Sequence, residues 1–265
     1  MSSIKTLSIL LFSILIVIAC EDIPVEENLD DRKMVSLPFQ EYSMKDDSIQ
    51  IELDEIYTLL SYSIVHRDWQ LGSVPRNERR GYNIGTVLVN GDQEAVHWGL
   101  NCINSMDNAT QHGEVRAIMS YLDSLRSFNL KGFTLYTTLE PCAMCSGMAT
   151  MTNIKRVVYG QKDVDFSGAL DRLALDSKEV GGFGPYPRTV ISDPAPTQYR
   201  TELDAAFEHF LETEEEKYLA KFLTSAPAKE IYANAEKAFL EYQISYPENQ
   251  EKYEQAKRFL ESINF

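Results

Sequence analysis

The sequence is poor in the residues that staple small folds together. It has four cysteines among 265 residues. Setting Cys20 aside leaves Cys102, Cys142 and Cys145, an odd number, and two of these form a C-x-x-C, so a disulfide framework is not expected. Positive charge is also scarce: 25 Lys and Arg face 40 Asp and Glu, a formal net charge of −15. An anionic chain repels phosphate backbones, which argues against a long basic groove for tRNA or DNA and leaves room only for a local patch. Arg76, Arg79 and Arg80 are the one tight basic cluster, and they read as a solvated loop. Gly181-Gly182-Phe183-Gly184-Pro185 is a loop signal and matches no phosphate-binding fingerprint. One long apolar run exists, Leu7 to Ala19, shorter than the about 20 residues a bilayer span needs. The 44% apolar content is ample for a globular core.

That apolar run follows Lys5 and ends Val17-Ile18-Ala19-Cys20, so residues 1–19 have the layout of a signal peptide. An aliphatic residue, a small residue and then Cys resembles a bacterial lipobox. The resemblance implies cleavage before Cys20, lipidation of its thiol, and an exported protein tethered to a membrane with its body on the periplasmic or outer side. The plainer alternative is an N-terminal anchor helix with an incidental Cys. Residues 20–47 are acidic and interrupted by Pro24 and Pro38, as in a solvated tether.

Beyond the tether, Ile51, Ile56, Leu59, Leu60 and Ile64 step at helical period, predicting a helix over about 49–69; His66, late on it, reads as structural. Ile84 to Val89, Asn90-Gly91 and Glu94 to Gly99 predict a β-hairpin. A helix follows from His112 to Leu125, then a β-rich run over 133–139. Pro141 is expected to open the next helix, and 154–159 to form a strand parallel to the previous one. Residues 161–187 read as a long connection with a short helix near 169–175, and 189–191 as a last short strand. A single helix is predicted over about 197–223. Two further helical patterns, Ile231 to Tyr242 and Tyr253 to Leu260, flank Ser245-Tyr246-Pro247 and predict an appended hairpin whose apolar stripes pack on the body, on each other or on a partner.

The chemistry concentrates between His112 and Cys145. His112-Gly113-Glu114 precedes Pro141-Cys142-Ala143-Met144-Cys145 by one helix and one strand. A catalytic zinc takes three protein ligands and keeps one position for water. His112, Cys142 and Cys145 supply three, and cysteines near a helix N-terminus are favoured as thiolates. Glu114, two residues after the His, shares the helix start with it and reaches past the end of the axis. A C-x-x-C alone is equally a redox pair or half of a structural zinc site; the upstream His and Glu are what make it a hydrolytic centre.

These motifs resemble the cytidine/deoxycytidylate deaminase superfamily, most closely its tRNA adenosine and guanine deaminase branch. The resemblance rests on Ile84 to Val89, Gly99-Leu100-Asn101, His112-Gly113-Glu114, Leu135 to Cys145 and Arg156 to Gly160, and covers roughly 54–211. It implies a three-layer α/β/α sandwich with a mixed central sheet, Zn2+ held by His112, Cys142 and Cys145, proton transfer by Glu114, a base contact from Asn101 and a homodimer. Asn101 is otherwise a plain turn residue. Gly113 stands where many relatives have Ala, and Ala149 where a larger aliphatic is usual.

The domain reading is therefore a catalytic domain over 48–222 and a helical extension over 223–265. The expected activity is hydrolytic removal of an exocyclic amino group from a free nucleobase or nucleoside, with nucleic acid disfavoured by charge. Two alternatives stand beside it: an effector-type deaminase acting on nucleic acid or a nucleotide, and a non-catalytic zinc protein that interacts through its helical tail.

Overall fold

The computed structural model describes residues 44–265. The expected leader, the lipidated Cys20 and the tether up to residue 43 lie outside the described residues. No helix among the described residues is long and apolar enough to cross a membrane.

The first helix, α1 (Met44–Arg67), begins inside what reads as tether. The hairpin follows as β1 (Gly85–Val89) and β2 (Ala95–Leu100). Its loop is longer than an Asn-Gly pair: Asn90 N–H donates to the Glu94 carbonyl, and Gln93 takes a positive φ of 60°. The register shifts between Leu88 and Val89, as a bulge does. Then come α2 (Gly113–Leu125), β3 (Thr134–Leu139), α3 (Ala143–Met151), β4 (Arg156–Gln161), α4 (Ala169–Ala174) and β5 (Ile191–Pro194). The strand order is β2-β1-β3-β4-β5. β1 is antiparallel to both β2 and β3, whereas β3–β4 and β4–β5 are parallel. The sheet is thus mixed.

Side-chain alternation along each strand separates two cores. Val87, Val89, Tyr136 and Val158 face one side, with α1 and the C-terminal helices. Leu88, Leu135 and Val157 face the other, with Ala117 and Ile118 of α2 and Ala149 of α3. The layers are α/β/α, as the sequence implies.

Two expectations about the second half need correction. The single helix over 197–223 is two: α5 (Gln198–Thr213) stops, and a short α6 (Leu219–Phe222) follows. The intervening Glu214-Glu215-Glu216 places three like charges in a row, while Leu219, Phe222 and Leu223 are buried. Breaking the helix lets the chain turn these apolar residues inward. Nor is there a seam at residue 222. The last helices, α7 (Ala226–Leu240) and α8 (Gln250–Ser262), contribute Tyr232, Ala235, Phe239, Tyr253, Ala256 and Leu260 to the same core as α1 and the sheet.

Polar anchors fix that docking. Glu52 on α1, buried, accepts hydrogen bonds from Ser245 N–H at 2.6 Å and Asn249 Nδ2 at 2.7 Å, which ties down the α7–α8 connection. At the other end of α1, His66 Nδ1 and Arg67 Nε meet the two carboxylate oxygens of Glu236 at 2.5 and 2.7 Å. His66 is structural, as read. Arg156 links Asp54 of α1 to Asp193 of β5, at 2.7 and 2.6 Å.

Candidate metal centre and active site

The site forms where α2 and α3 begin, at one end of the sheet. His112 is the N-cap of α2 and Cys142 the N-cap of α3. Pro141 therefore precedes the helix cap and does not occupy its first turn. Cys145 lies three residues beyond Cys142, and its side chain returns over the same helix end. The close approach of α2 to β2 depends on missing Cβ atoms. A Cβ on Gly113 would lie 2.9 Å from the Gly99 carbonyl oxygen, and one on Gly99 would clash with the Gly113 carbonyl. The helix start thus presses directly on the strand.

His112 Nδ1 is 3.7 Å from Cys142 Sγ and 3.5 Å from Cys145 Sγ, and the two sulfurs are 3.7 Å apart. A tetrahedral zinc, with sulfur at about 2.3 Å and nitrogen at about 2.0 Å, spaces its ligand atoms about 3.5–3.8 Å apart. The triangle fits that edge length on all three sides, and these atoms form the metal-competent group among the described residues. The electrostatics agree. Hydrogen bonding to Cys145, then to His112, holds the Cys142 thiol down at about 4. The same shared hydrogen bond, with burial, pushes Cys145 far up. One thiolate is thus ready, and the second proton is the one a cation must displace.

Glu114 sits beside this triangle, 3% exposed. Its Oε1 accepts from Thr137 Oγ1 at 3.3 Å, while Oε2 is buried with no partner among the described residues. Burial is the main cause that raises its pKa. The triangle and Glu114 open on a cavity of about 460 Å³, within the range that holds a small heterocyclic ligand. Ile84 and Leu139 floor it; Tyr82, Phe166, Tyr218, Leu219 and Leu223 wall it; Glu140 and Asp163 add carboxylates.

Asn101 is not among the residues that line this cavity. It is fully buried, and its Oδ1 accepts from the Tyr82 and Ile103 backbone N–H groups, so it holds the loop that presents Tyr82. Its Nδ2 has no partner among the described residues. Cys102 is a buried free thiol.

Sequence reasoning missed two parts of the wall. Asp163 and Phe166 follow the carboxyl end of the parallel strand β4, where ligands of α/β sheets gather, so topology offered a signal. Tyr218 to Leu223 offered none: their place follows from the break between α5 and α6. Asn83 secures them by donating from Nδ2 to the Leu223 carbonyl at 2.8 Å.

Comparison with known proteins agrees with this geometry. Residues 73–161 match the cytidine and deoxycytidylate deaminase zinc-binding region. The tRNA-specific adenosine deaminase of Rickettsia felis is 35% identical over 103 residues, 38% of this chain and 72% of that protein. The chain belongs to the cytidine and deoxycytidylate deaminase family. The tRNA-specific adenosine deaminase of Haemophilus influenzae is 30% identical, over 43% of this chain and 62% of the relative, so the chain spans about three fifths of that protein's length. A probable cytosine deaminase of Schizosaccharomyces pombe is also 30% identical, over 40% of this chain and 68% of that one. As a family member the chain carries a zinc-binding deaminase region, and His112, Cys142 and Cys145 are the ligands its geometry offers.

Proposed function

We propose that the protein is a hydrolytic deaminase that removes an exocyclic amino group from a nucleobase, free or within a nucleoside. The observation that carries this reading is Glu114: a buried carboxylate with one oxygen unpaired among the described residues, beside a three-ligand triangle, facing a half-open cavity. A structural zinc site has no use for such a group, which counts against the non-catalytic alternative. Zinc, when bound, supplies a Lewis acid that brings the pKa of water down to about 7.

Glu114 is placed to carry the two protons of one water in turn, the first to a ring nitrogen and the second to the departing amino group. One water is consumed, one ammonia leaves, and a carbonyl replaces the amine. A carboxyl that both accepts and donates works best with its pKa lifted toward neutrality, which is the direction burial gives Glu114. Leu139, Ile84 and Leu223 exclude bulk water, and Tyr82, Phe166 and Tyr218 offer ring faces to a planar base. Asp163 and Glu140 present acceptors suited to ring N–H and amino groups. The base contact expected of Asn101 stands on its unpaired Nδ2 alone.

The decisive assay is ammonia release by the zinc-loaded protein from adenine, guanine, cytosine and their nucleosides. Release from at least one, abolished in Glu114→Ala, is the expected outcome; no release from any removes the reading. A polynucleotide substrate is favoured by the names of the tRNA-acting relatives and opposed by the net charge of −15. Absence of edited bases in RNA exposed to the protein separates the two. The exported, lipid-anchored setting rests on residues 1–20, and labelled fatty-acid incorporation that disappears in Cys20→Ser tests it. The homodimer rests on the family resemblance, and sedimentation tests it.

A further inference from the structure

Strand β3 passes beneath the reaction centre with an interrupted apolar face. Side chains two apart on a strand share a face, so Leu135, Thr137 and Leu139 point the same way, toward the layer of α2 and α3. Leu135 packs in the core of that layer, and Leu139 lines the cavity. Between them Thr137 is fully buried. Thr86 lies directly across from it on β1, and Gly99 across from Thr86 on β2. The start of α2 rests on this row, since a Cβ on Gly99 would run into the Gly113 carbonyl and lie 2.9 Å from the Ala117 nitrogen.

A hydroxyl in such a place needs a reason. Valine has the same shape, suits a buried central strand at least as well, and leaves no polar atom to satisfy. The next residue, Thr138, has a scaffold duty on the opposite face: its Oγ1 accepts from the Gly85 N–H at 3.1 Å. Thr86 Oγ1 has no partner among the described residues. Thr137 Oγ1 has two acceptors in reach, the Gly85 carbonyl at 3.4 Å and Glu114 Oε1 at 3.3 Å. Its single proton serves one of them best, and a carboxylate is the stronger acceptor. A β-branched side chain is also stiff at χ1, so the donor stays where the strand puts it.

Glu114, by contrast, carries its carboxylate on a long side chain. Its other oxygen, Oε2, is buried without a partner among the described residues, and the residue lines the cavity. We propose that Thr137 is a positioning residue for the reaction: its hydroxyl pins Glu114 Oε1 against the sheet and leaves Oε2 as the oxygen that carries protons. This deepens the deaminase reading and rests on it for what Glu114 does. Thr137 is not among the residues that line the cavity, so it acts only through Glu114. A proton carrier that loses its hold costs rate while substrate affinity stays.

The test compares the zinc-loaded, full-length protein with Thr137→Val, Thr137→Ser and Thr86→Val. In infrared difference spectra, each protein against the same protein carrying Glu114→Gln, the carboxyl stretch of Glu114 reports the donor on its oxygen. That band is expected to move in Thr137→Val, to return in Thr137→Ser, and to stay in Thr86→Val, which removes a hydroxyl one strand away. For ammonia release from the best of the nucleobases and nucleosides, kcat should fall about tenfold in Thr137→Val with KM unchanged. Thr137→Ser should restore most of that loss, and zinc content should be the same in every protein. A band unmoved by Thr137→Val overturns the assignment whatever the kinetics. So does a loss that appears in KM instead of kcat, that Thr137→Ser fails to restore, or that Thr86→Val reproduces. A band that moves in a protein that deaminates nothing supports Thr137 as the anchor of Glu114 and overturns the deaminase reading.

Discussion

The cavity has two sides of different origin. Its floor comes from His112, Glu114, Leu139 and Cys142, all inside the segment that matches the family. Apart from Tyr82, its outer wall comes from beyond that segment: Asp163, Phe166, Tyr218, Leu219, Ala220 and Leu223. The floor is made at two helix starts, where short-range geometry fixes the side chains. The wall is made by chain held in place through long-range packing: Asn83 on the Leu223 carbonyl, Phe222 against Phe207 and Phe210, and Tyr232 against Trp69 and Tyr62. On the proposed function, the first side sets the reaction type and the second the fit of the substrate.

Several substitutions can break this division. Glu114→Ala attacks the floor, and turnover is expected to fall about a thousandfold, as loss of a general acid–base does, with zinc content unchanged by metal analysis. If zinc leaves with it, Glu114 belongs to the metal's support and the division is drawn wrongly. Removing the metal itself with a chelator should abolish activity and lower the melting temperature, since binding at a thousand times Kd stabilises by about 4 kcal/mol. Cys145→Ser should show the same low melting temperature without chelator.

Phe239→Ala attacks the support of the wall. Phe239 is fully buried in the core that α7 shares with α1, so the cost should be about 3–5 kcal/mol by urea unfolding. One cooperative transition is expected, because the C-terminal helices have no core of their own; a separate early transition confined to residues 226–262 contradicts that. Tyr218→Ala should barely change stability, because the ring is half exposed. It should weaken kcat/KM by roughly tenfold, mainly through KM, as loss of one stacking surface does.

The smallest effect concerns the scaffold. His97 on β2 hydrogen-bonds Ser120 Oγ of α2 at 2.7 Å, and burial lowers its pKa. A histidine kept neutral by the fold contributes stability above its unfolded value of about 6.5 that is lost as pH falls through the folded value. His97→Gln should flatten the fall in urea midpoint below about pH 6.5 while leaving kcat/KM at pH 7.5 unchanged.

Much of the first half of the fold was legible because its signals are local. Asn90-Gly91 between apolar runs marks a hairpin, and the unbroken apolar run Val87-Leu88-Val89 suits a strand buried on both faces. The two helix starts carrying His112 and Cys142 follow from residue type and spacing. Pro141 reads as the first helical residue, but the helix starts two positions later, at Ala143, with Cys142 as its cap. The sequence over 197–223 suits one continuous helix because its charged stretch permits helical φ and ψ; what breaks it is the burial of Leu219, Phe222 and Leu223. The arginine cluster reads as a solvated loop because nothing near it in sequence shows that Lys221 and Tyr218 come back to face it.

The chain by itself determined the metal triangle, the carboxylate beside it and the reaction they suit. Each depends on residues a few positions apart or on one strand and one helix in a fixed order. Only the tertiary structure decided what closes the cavity, that the last two helices belong to the same core, and that Thr137 of β3 comes to back Glu114. These features bring together residues as far as 197 positions apart, as in Glu52 with Asn249. Such pairings are selected by packing and charge in the assembled core, where no local pattern along the chain records them.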